Sequence, residues 1–125
     1  SLGEPENEMR KIYEITLEAQ KLALKIIKPG LTGIEVDKQA REYIAEKGYG
    51  EYFGHGLGHG VGLNVHEAPK LSTSGENVLQ PGMVVSVEPG IYLPGKGGVR
   101  IEDLVVITEN GYYNLVSSRK DLIIL

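Results

Sequence analysis

The chain has 125 residues, a formal net charge of −4 and no cysteine, and 41% of its residues are hydrophobic. These values are typical of one globular domain over residues 1–125. The acidic balance argues against nucleic acid or an anionic membrane as a partner, and the lack of cysteine excludes disulfides and thiolate metal sites. No apolar run reaches the roughly 20 residues that span a bilayer, and no signal-peptide pattern opens the chain. We therefore expect a cytoplasmic protein.

The first part of the chain has the period of amphipathic helices. Apolar residues recur at steps of three and four over residues 9–26, which predicts a helix that the Pro-Gly pair at 29–30 ends. Thr32 then begins a second helix, because Thr32 and Glu35 have the spacing of a capping box. Gly48 is expected to end that helix in the left-handed conformation. We interpret both helices as scaffold.

All three histidines lie within residues 54–67, where glycine occupies every second position from 54 to 62. Imidazole is a common metal ligand and the usual acid or base near neutral pH, and glycine allows another group to approach closely. If the stretch is extended, His55, Leu57, His59 and Val61 share one face and the glycines the other. A flexible loop is the alternative interpretation, but the interleaved apolar residues argue against a tail. We interpret the stretch as the functional one.

The remainder of the chain has the pattern of a sheet. Residues 68–82 are predicted to form a surface loop, because prolines, a glycine and small polar residues interrupt any period. Strands are predicted at residues 83–88, 91–93, 99–107 and 112–116, with an Asn-Gly hairpin turn at 110–111. The apolar residues 122–125 are expected to need covering by this chain or by a partner. Two helices followed by a bent, mainly antiparallel sheet indicate an α+β fold.

Charged residues interrupt these apolar strands. Glu88 ends one predicted strand, and Arg100 and Glu102, two positions apart, share a face of the next. A charge in a half-buried strand is costly unless it is paired or binds a metal. A buried Arg–Glu pair is one interpretation. A divalent cation held by Glu88, Glu102 and one imidazole is the other.

Three segments resemble the pita-bread metallopeptidase superfamily, which includes Xaa-Pro dipeptidase (prolidase), aminopeptidase P, methionine aminopeptidase and creatinase. Residues 55–67 have the pattern His-x-x-x-His-Gly-x-Gly-Leu-x-x-His-Glu, residues 87–92 read Val-Glu-Pro-Gly-Ile-Tyr, and residues 97–103 read Gly-Gly-Val-Arg-Ile-Glu-Asp. Three motifs in the family's order and spacing are far more specific than any one of them. The resemblance covers nearly the whole chain and favours the proline-specific branch.

The resemblance implies a dinuclear metal site that activates a water for hydrolysis of a peptide bond. It implies that His59 and Glu88 bind one metal, that Glu102 bridges both metals, and that Glu88 also moves a proton. It further implies that His66 binds the substrate carbonyl or the developing oxyanion. The residues implied to bind substrate are His55, His66, Tyr92 and Arg100.

The chain departs from the family pattern in one respect. The family has two aspartate ligands ahead of the first helix, and none of Asp37, Asp103 and Asp121 matches them. The chain therefore resembles the C-terminal half of the catalytic domain, as an excised piece. We expect two divalent ions (Mn, Co, Fe or Zn) in an intact enzyme, and one or none here, with little activity of this piece alone.

The expected substrate is a short peptide with proline in the second position, and the motifs do not separate a dipeptidase from an aminopeptidase P. The alternative function is a non-catalytic module of the same fold that binds a peptide or a protein partner. An open sheet edge and an uncovered apolar face would also favour a homo-oligomer.

Overall fold

The structure is a computed structural model that describes residues 4–61 and 69–123, with the side chains of residues 7–61 and 69–116. It begins with two helices, α1 (Glu4–Ile26) and α2 (Gly33–Glu46), and a 3₁₀ helix (Gly50–Tyr52) follows them. Neither α1 nor α2 is long and apolar enough to cross a membrane, and the described ranges contain no other candidate span.

The local signals at the ends of α2 act as predicted. The Thr32 hydroxyl accepts from the Glu35 N–H at 3.3 Å, and the Glu35 carboxylate accepts from the Thr32 N–H at 2.9 Å, which completes the capping box. Gly48 has φ +94° just beyond the end of α2. Helix α1 ends at Ile26, three residues before the predicted Pro-Gly stop.

Within the described residues, six strands follow and form one antiparallel sheet: β1 (Gly58–Val61), β2 (Lys70–Leu71), β3 (Val84–Val87), β4 (Gly90–Leu93), β5 (Gly97–Ile107) and β6 (Tyr112–Ile123). Strand β5 is central, because β3 and β4 pair along one of its edges and β6 pairs along the other. Strand β1 extends the sheet beyond β3, and β2 pairs with β1. The predicted α+β fold is confirmed.

The core lies between the helices and one face of this sheet. Along β5, buried residues alternate with partly exposed ones, and the buried set includes Ile101, Asp103 and Val105. Helix α1 packs against β5 and against α2, with Ile12 fully buried. Because side chains alternate along a strand, Arg100 and Glu102 lie on the opposite face of β5, away from this core.

Three sequence predictions need correction. The segment predicted as a surface loop contains β2 and two buried core residues, Leu71 and Leu79. The strand predicted at residues 112–116 is longer, because β6 continues to Ile123, which pairs with Gly98. The histidine stretch is not extended throughout. Within its described residues 54–61, the strand is Gly58–Val61, and Leu57 is fully buried, unlike the exposed His59.

Candidate active site

The pairing of His59 with Glu88 is the first element of the site. His59 Nε2 lies 3.5 Å from Glu88 Oε2, and the two side chains are 62% and 16% exposed. His59 Nδ1 lies 3.0 Å from the carbonyl oxygen of Gly60, which can only accept a hydrogen bond. A neutral His59 therefore carries its proton on Nδ1 and directs the Nε2 lone pair toward Glu88. A backbone carbonyl commonly orients a metal-binding imidazole in this way.

Close packing of β1 on β3 fixes the backbone of His59. A Cβ atom on Gly58 would stand 1.8 Å from the carbonyl oxygen of Ser86, so only glycine fits here. The buried Ser86 hydroxyl accepts from the His59 N–H at 3.1 Å. Sequence reasoning missed Ser86, because nothing in a short apolar strand marks which polar residue will meet a neighbouring backbone.

Strand register places Glu102 beside Glu88. Val87 pairs with Asp103 and Gly90 pairs with Arg100, so β3 and β4 meet β5 in one continuous register and Glu88 falls opposite Glu102. The N–H of Ile101 donates to the carbonyl of Pro89 at 3.2 Å, as this register requires. Directly opposite residues project to the same face. The two carboxylates therefore belong to one face of the sheet.

The side chains nevertheless do not form the expected three-ligand cluster. Within residues 4–61 and 69–123, no three His, Asp or Glu side chains are grouped closely enough to hold a metal ion. The structure joins His59 to Glu88 only, and Glu102 is a half-buried neighbour in the adjacent strand. The metal-binding roles of these three residues stay predictions. The predicted role of His66 at the substrate carbonyl also stays a prediction, because His66 lies outside the described residues.

A cavity of about 380 Å³ opens over the pair; its described lining is His55, Gly56, Gly58, His59, Glu88 and Arg100. Two ligand atoms on a tetrahedral metal with bonds of about 2.1 Å stand about 3.4 Å apart, close to the 3.5 Å between His59 Nε2 and Glu88 Oε2. An imidazole nitrogen and a carboxylate oxygen suit first-row divalent ions. The residues present therefore fit a divalent metal.

His55 forms one wall of the cavity. Its Nδ1 lies 2.6 Å from the Gly56 carbonyl and its Nε2 lies 3.0 Å from the Tyr92 hydroxyl. A neutral His55 thus donates from Nδ1, and Tyr92 donates to Nε2. The rings of Phe53 and His55 pack nearly perpendicular to each other, with their centroids 5.1 Å apart. A Cβ on Gly90 would stand 2.7 Å from the Tyr92 hydroxyl, so glycine at this position makes room for the contact.

The structure thus places four of the predicted site residues, His55, His59, Glu88 and Arg100, around one cavity, and Tyr92 touches its wall. Sequence reasoning also missed Asp37, a buried residue of α2. Asp37 lies four residues before Arg41. A carboxylate and a guanidinium one helical turn apart can pair, and this spacing was the signal in the sequence that could have identified Asp37.

Comparison with known proteins gives a consistent result. Residues 1–109 match the model of Metallopeptidase family M24. The Xaa-Pro dipeptidase of Pyrococcus furiosus is 56% identical over 122 residues, which cover 98% of this chain and 35% of that protein. The chain therefore spans about a third of the length of such relatives.

Solved structures agree with this result. The prolidase from Pyrococcus furiosus matches with a TM-score of 0.85 and 58% identity, over 90% of this chain and 33% of that one. The X-Pro aminopeptidase from Thermotoga maritima matches with a TM-score of 0.85 and 53% identity, over 95% of this chain and 34% of that one. The three motifs, the fold and the family model agree: this chain belongs to Metallopeptidase family M24.

Proposed function

We propose that this chain forms part of the active site of a metal-dependent Xaa-Pro peptidase, which hydrolyses the peptide bond before proline. The observation that carries the proposal is the close approach of His59 Nε2 and Glu88 Oε2 in a cavity that His55 and Arg100 also line. Identities of 53–58% to a prolidase and an X-Pro aminopeptidase support the substrate class.

His59 and Glu88 would hold a divalent ion (Mn, Co, Fe or Zn), with Glu102 as the neighbouring carboxylate. When bound, such an ion supplies an activated water and polarises the scissile carbonyl. Glu88 takes up the proton that the attacking water loses, since a carboxylate within reach of the water is a competent base. His66 is proposed to stabilise the negative charge that develops on the carbonyl oxygen.

The opposite wall orients the peptide. The hydrogen bond between Tyr92 and His55 fixes the imidazole ring, so the substrate meets a preset surface rather than a mobile side chain. Arg100 lines the same cavity and supplies positive charge toward the carbonyl or carboxylate oxygens of a short peptide. The cavity would thus hold the ion at the wall formed by His59 and Glu88 and position the peptide at the wall formed by His55 and Arg100.

A chimaera tests the activity. The equivalent third of the Pyrococcus furiosus prolidase is replaced with this chain, and hydrolysis of Ala-Pro is measured with Mn²⁺ or Co²⁺. We expect cleavage of Ala-Pro and its loss in the His59→Ala chimaera. A folded chimaera that binds the metal but leaves Ala-Pro intact contradicts the proposal and favours the non-catalytic binding module.

This chain on its own is proposed to bind a single ion weakly, or none, and to leave Xaa-Pro dipeptides uncleaved. The reason is that its described residues supply a pair of adjacent ligands and not a full set. Calorimetry with Mn²⁺ measures the stoichiometry. Two ions bound per chain, or rapid cleavage by the isolated chain, would show that its ligand set is more complete than proposed.

Residence in the cytoplasm and self-association stay proposals. Tyr113, Leu115 and Val116 are exposed on β6, which supports association through this face. Light scattering over a wide concentration range tests self-association, and a monomer throughout that range contradicts it.

A further inference from the structure

The loop that carries His55 is held by a side chain of helix α2. This loop, residues 53–57 (the His55 loop), forms neither helix nor strand, so its peptide groups need partners from elsewhere. Arg41 supplies two: its Nη1 donates to the Phe53 carbonyl at 3.0 Å and its Nη2 donates to the His55 carbonyl at 2.8 Å. The guanidinium also lies over the Phe53 ring, 4.2 Å from the centroid. Arg41 thus holds the first half of the His55 loop.

Asp37, one turn earlier on α2, holds the second half. Its Oδ1 accepts from the Leu57 N–H at 3.0 Å. Asp37 and Arg41 are also joined to each other, since Arg41 Nε and Nη2 lie 2.8 and 3.1 Å from the two carboxylate oxygens. The Asp37 side chain is only 2% exposed. A bidentate pair of this kind fixes both side chains, so the two residues act as one unit.

The same unit is connected to the end of β3. The carbonyl of the fully buried Leu57 accepts from the Glu88 N–H at 2.6 Å. One residue of the His55 loop, Leu57, therefore links the Asp37 carboxylate through its N–H to the backbone that carries Glu88 through its carbonyl. Helix α2, the wall of the cavity and the proposed metal ligand are joined by consecutive hydrogen bonds.

We propose that Asp37 and Arg41 are positioning residues that fix the His55 loop and thereby hold the His55 ring in one orientation and one tautomer. The ring depends on the backbone of the loop, because its Nδ1 donates to the Gly56 carbonyl. Moving that carbonyl would release the ring to rotate or to exchange tautomers. The importance of this ring for a peptide substrate rests on the proposed function, but its orientation can be measured without it.

The test is ¹H–¹⁵N NMR of the imidazole rings in the purified protein at fixed neutral pH, with His55 assigned through His55→Ala. The variant is Arg41→Lys, which keeps a positive charge beside Asp37 but lacks the planar fork that reaches both carbonyls. The matched control is Glu42→Gln, which breaks an exposed pair of the same i,i+4 spacing on α2, Lys38 with Glu42 at 3.7 Å.

In the wild type and the control we expect one His55 tautomer, protonated at Nδ1. In Arg41→Lys we expect the two ring nitrogen shifts to move toward each other, as a mixture of tautomers requires. Affinity for Mn²⁺ should stay within about threefold of the wild type, because strand pairing and not the His55 loop holds His59.

A lower melting temperature with an unchanged His55 spectrum would show that the pair only stabilises the fold, and it would overturn the inference. Should Arg41→Lys fail to fold, the uncharged double variant Asp37→Asn/Arg41→Gln, which leaves no unpaired charge, replaces it, and a single retained tautomer again overturns the inference. Failure of the prolidase chimaera to cleave Ala-Pro would count against the proposed function alone, since the His55 spectrum is read without metal or substrate.

Discussion

His55 and His59 are four residues apart in one glycine-rich stretch, and their surroundings differ. The His55 ring contacts Gly56, Tyr92 and Phe53 and is partly buried. The His59 side chain is 62% exposed, and the partners found for its ring are the Gly60 carbonyl and the Glu88 carboxylate. The same local sequence pattern therefore produces one ring that is fixed by packing and one that is open to a ligand.

The cause is where the strand begins. Strand β1 starts at Gly58, so His59 projects from a sheet, whereas His55 belongs to a loop that tertiary contacts with α2 hold. Alternation of glycine and histidine cannot specify this difference, because it depends on residues distant in the chain. The comparison suggests that His55 is preorganised for positioning and that His59 is left free for a metal.

Removal of the exposed His59 ring should have the largest effect, which is on Mn²⁺ affinity. His59→Ala deletes the imidazole ligand and leaves carboxylates only, so we expect Mn²⁺ affinity to fall by more than about 100-fold, beyond the loss usual for residues outside the ligand set. Calorimetric titration measures it. The matched control is His66→Ala, which removes another histidine of the same stretch and should leave Mn²⁺ binding nearly intact. Equal losses in both variants would contradict the assignment of His59 as the ligand.

A methyl group at the start of β1 should be the next most damaging change. In Gly58→Ala the new Cβ meets the backbone oxygen of Ser86 at 1.8 Å, and backbone cannot move aside as a side chain can. We expect the free energy of unfolding to fall by about 3 kcal/mol or more, measured by urea denaturation. Gly54→Ala is the control, since no atom lies within 4 Å of its added Cβ, and it should change stability by less than about 0.5 kcal/mol.

The fixed ring can be released by a smaller change. In Gly90→Ala the added Cβ meets the Tyr92 hydroxyl at 2.7 Å and His55 Nε2 at 3.1 Å. We expect the Tyr92–His55 hydrogen bond to break, with a loss of about 1 kcal/mol in the free energy of unfolding. Tyr92→Phe removes that bond without adding an atom, so it should change the His55 ring spectrum similarly. A normal His55 spectrum in both variants would show that Tyr92 does not orient the ring.

The smallest expected effect is on the pH dependence of stability, and it comes from Tyr49, just ahead of the His55 loop. Burial raises the pKa of Tyr49 above its usual value of about 10, and the nearby Glu8 carboxylate, which accepts its hydroxyl at 3.2 Å, raises the pKa further. A raised pKa favours the neutral phenol in the folded state. Tyr49 thus adds stability that is present below pH 10 and is lost as pH rises through its folded pKa.

Comparison of urea denaturation at pH 9 and at pH 11 for the wild type and Tyr49→Phe measures this contribution. We expect the wild type to lose more stability than the variant over this interval. Equal losses would show that the phenol of Tyr49 does not contribute to the alkaline decline.

The sequence predicted those features that short-range rules determine. The capping box of Thr32 and Glu35 and the left-handed Gly48 follow from residues within a few positions of one another. The same holds for the Asn-Gly turn between β5 and β6. Register explains why Glu88 and Glu102 share a face, whereas the sequence indicates it only through the need of a charge in an apolar strand for a partner or a metal.

What the sequence could not predict depends on contacts between distant segments. The role of Asp37 is one example, because it depends on the packing of α2 beside Leu57, twenty positions away. Alternation places Leu57 on the face of His59 only if the strand begins before Gly58, and β1 begins at Gly58. Leu71 and Leu79 were placed in a surface loop, because loop composition does not show which apolar residues reach the core.

The continuous register across Glu88 and Pro89 has a consequence for insertions and deletions. Strands β3 and β4 meet β5 as if they were a single strand, although no ladder pair is formed at Glu88. Adding or removing one residue between them would shift one half of this ladder by one position and turn its side chains to the opposite face. Glu88 and Glu102 would then point apart. Length variation in related chains should therefore fall in the turns around residues 95 and 110 and spare this junction.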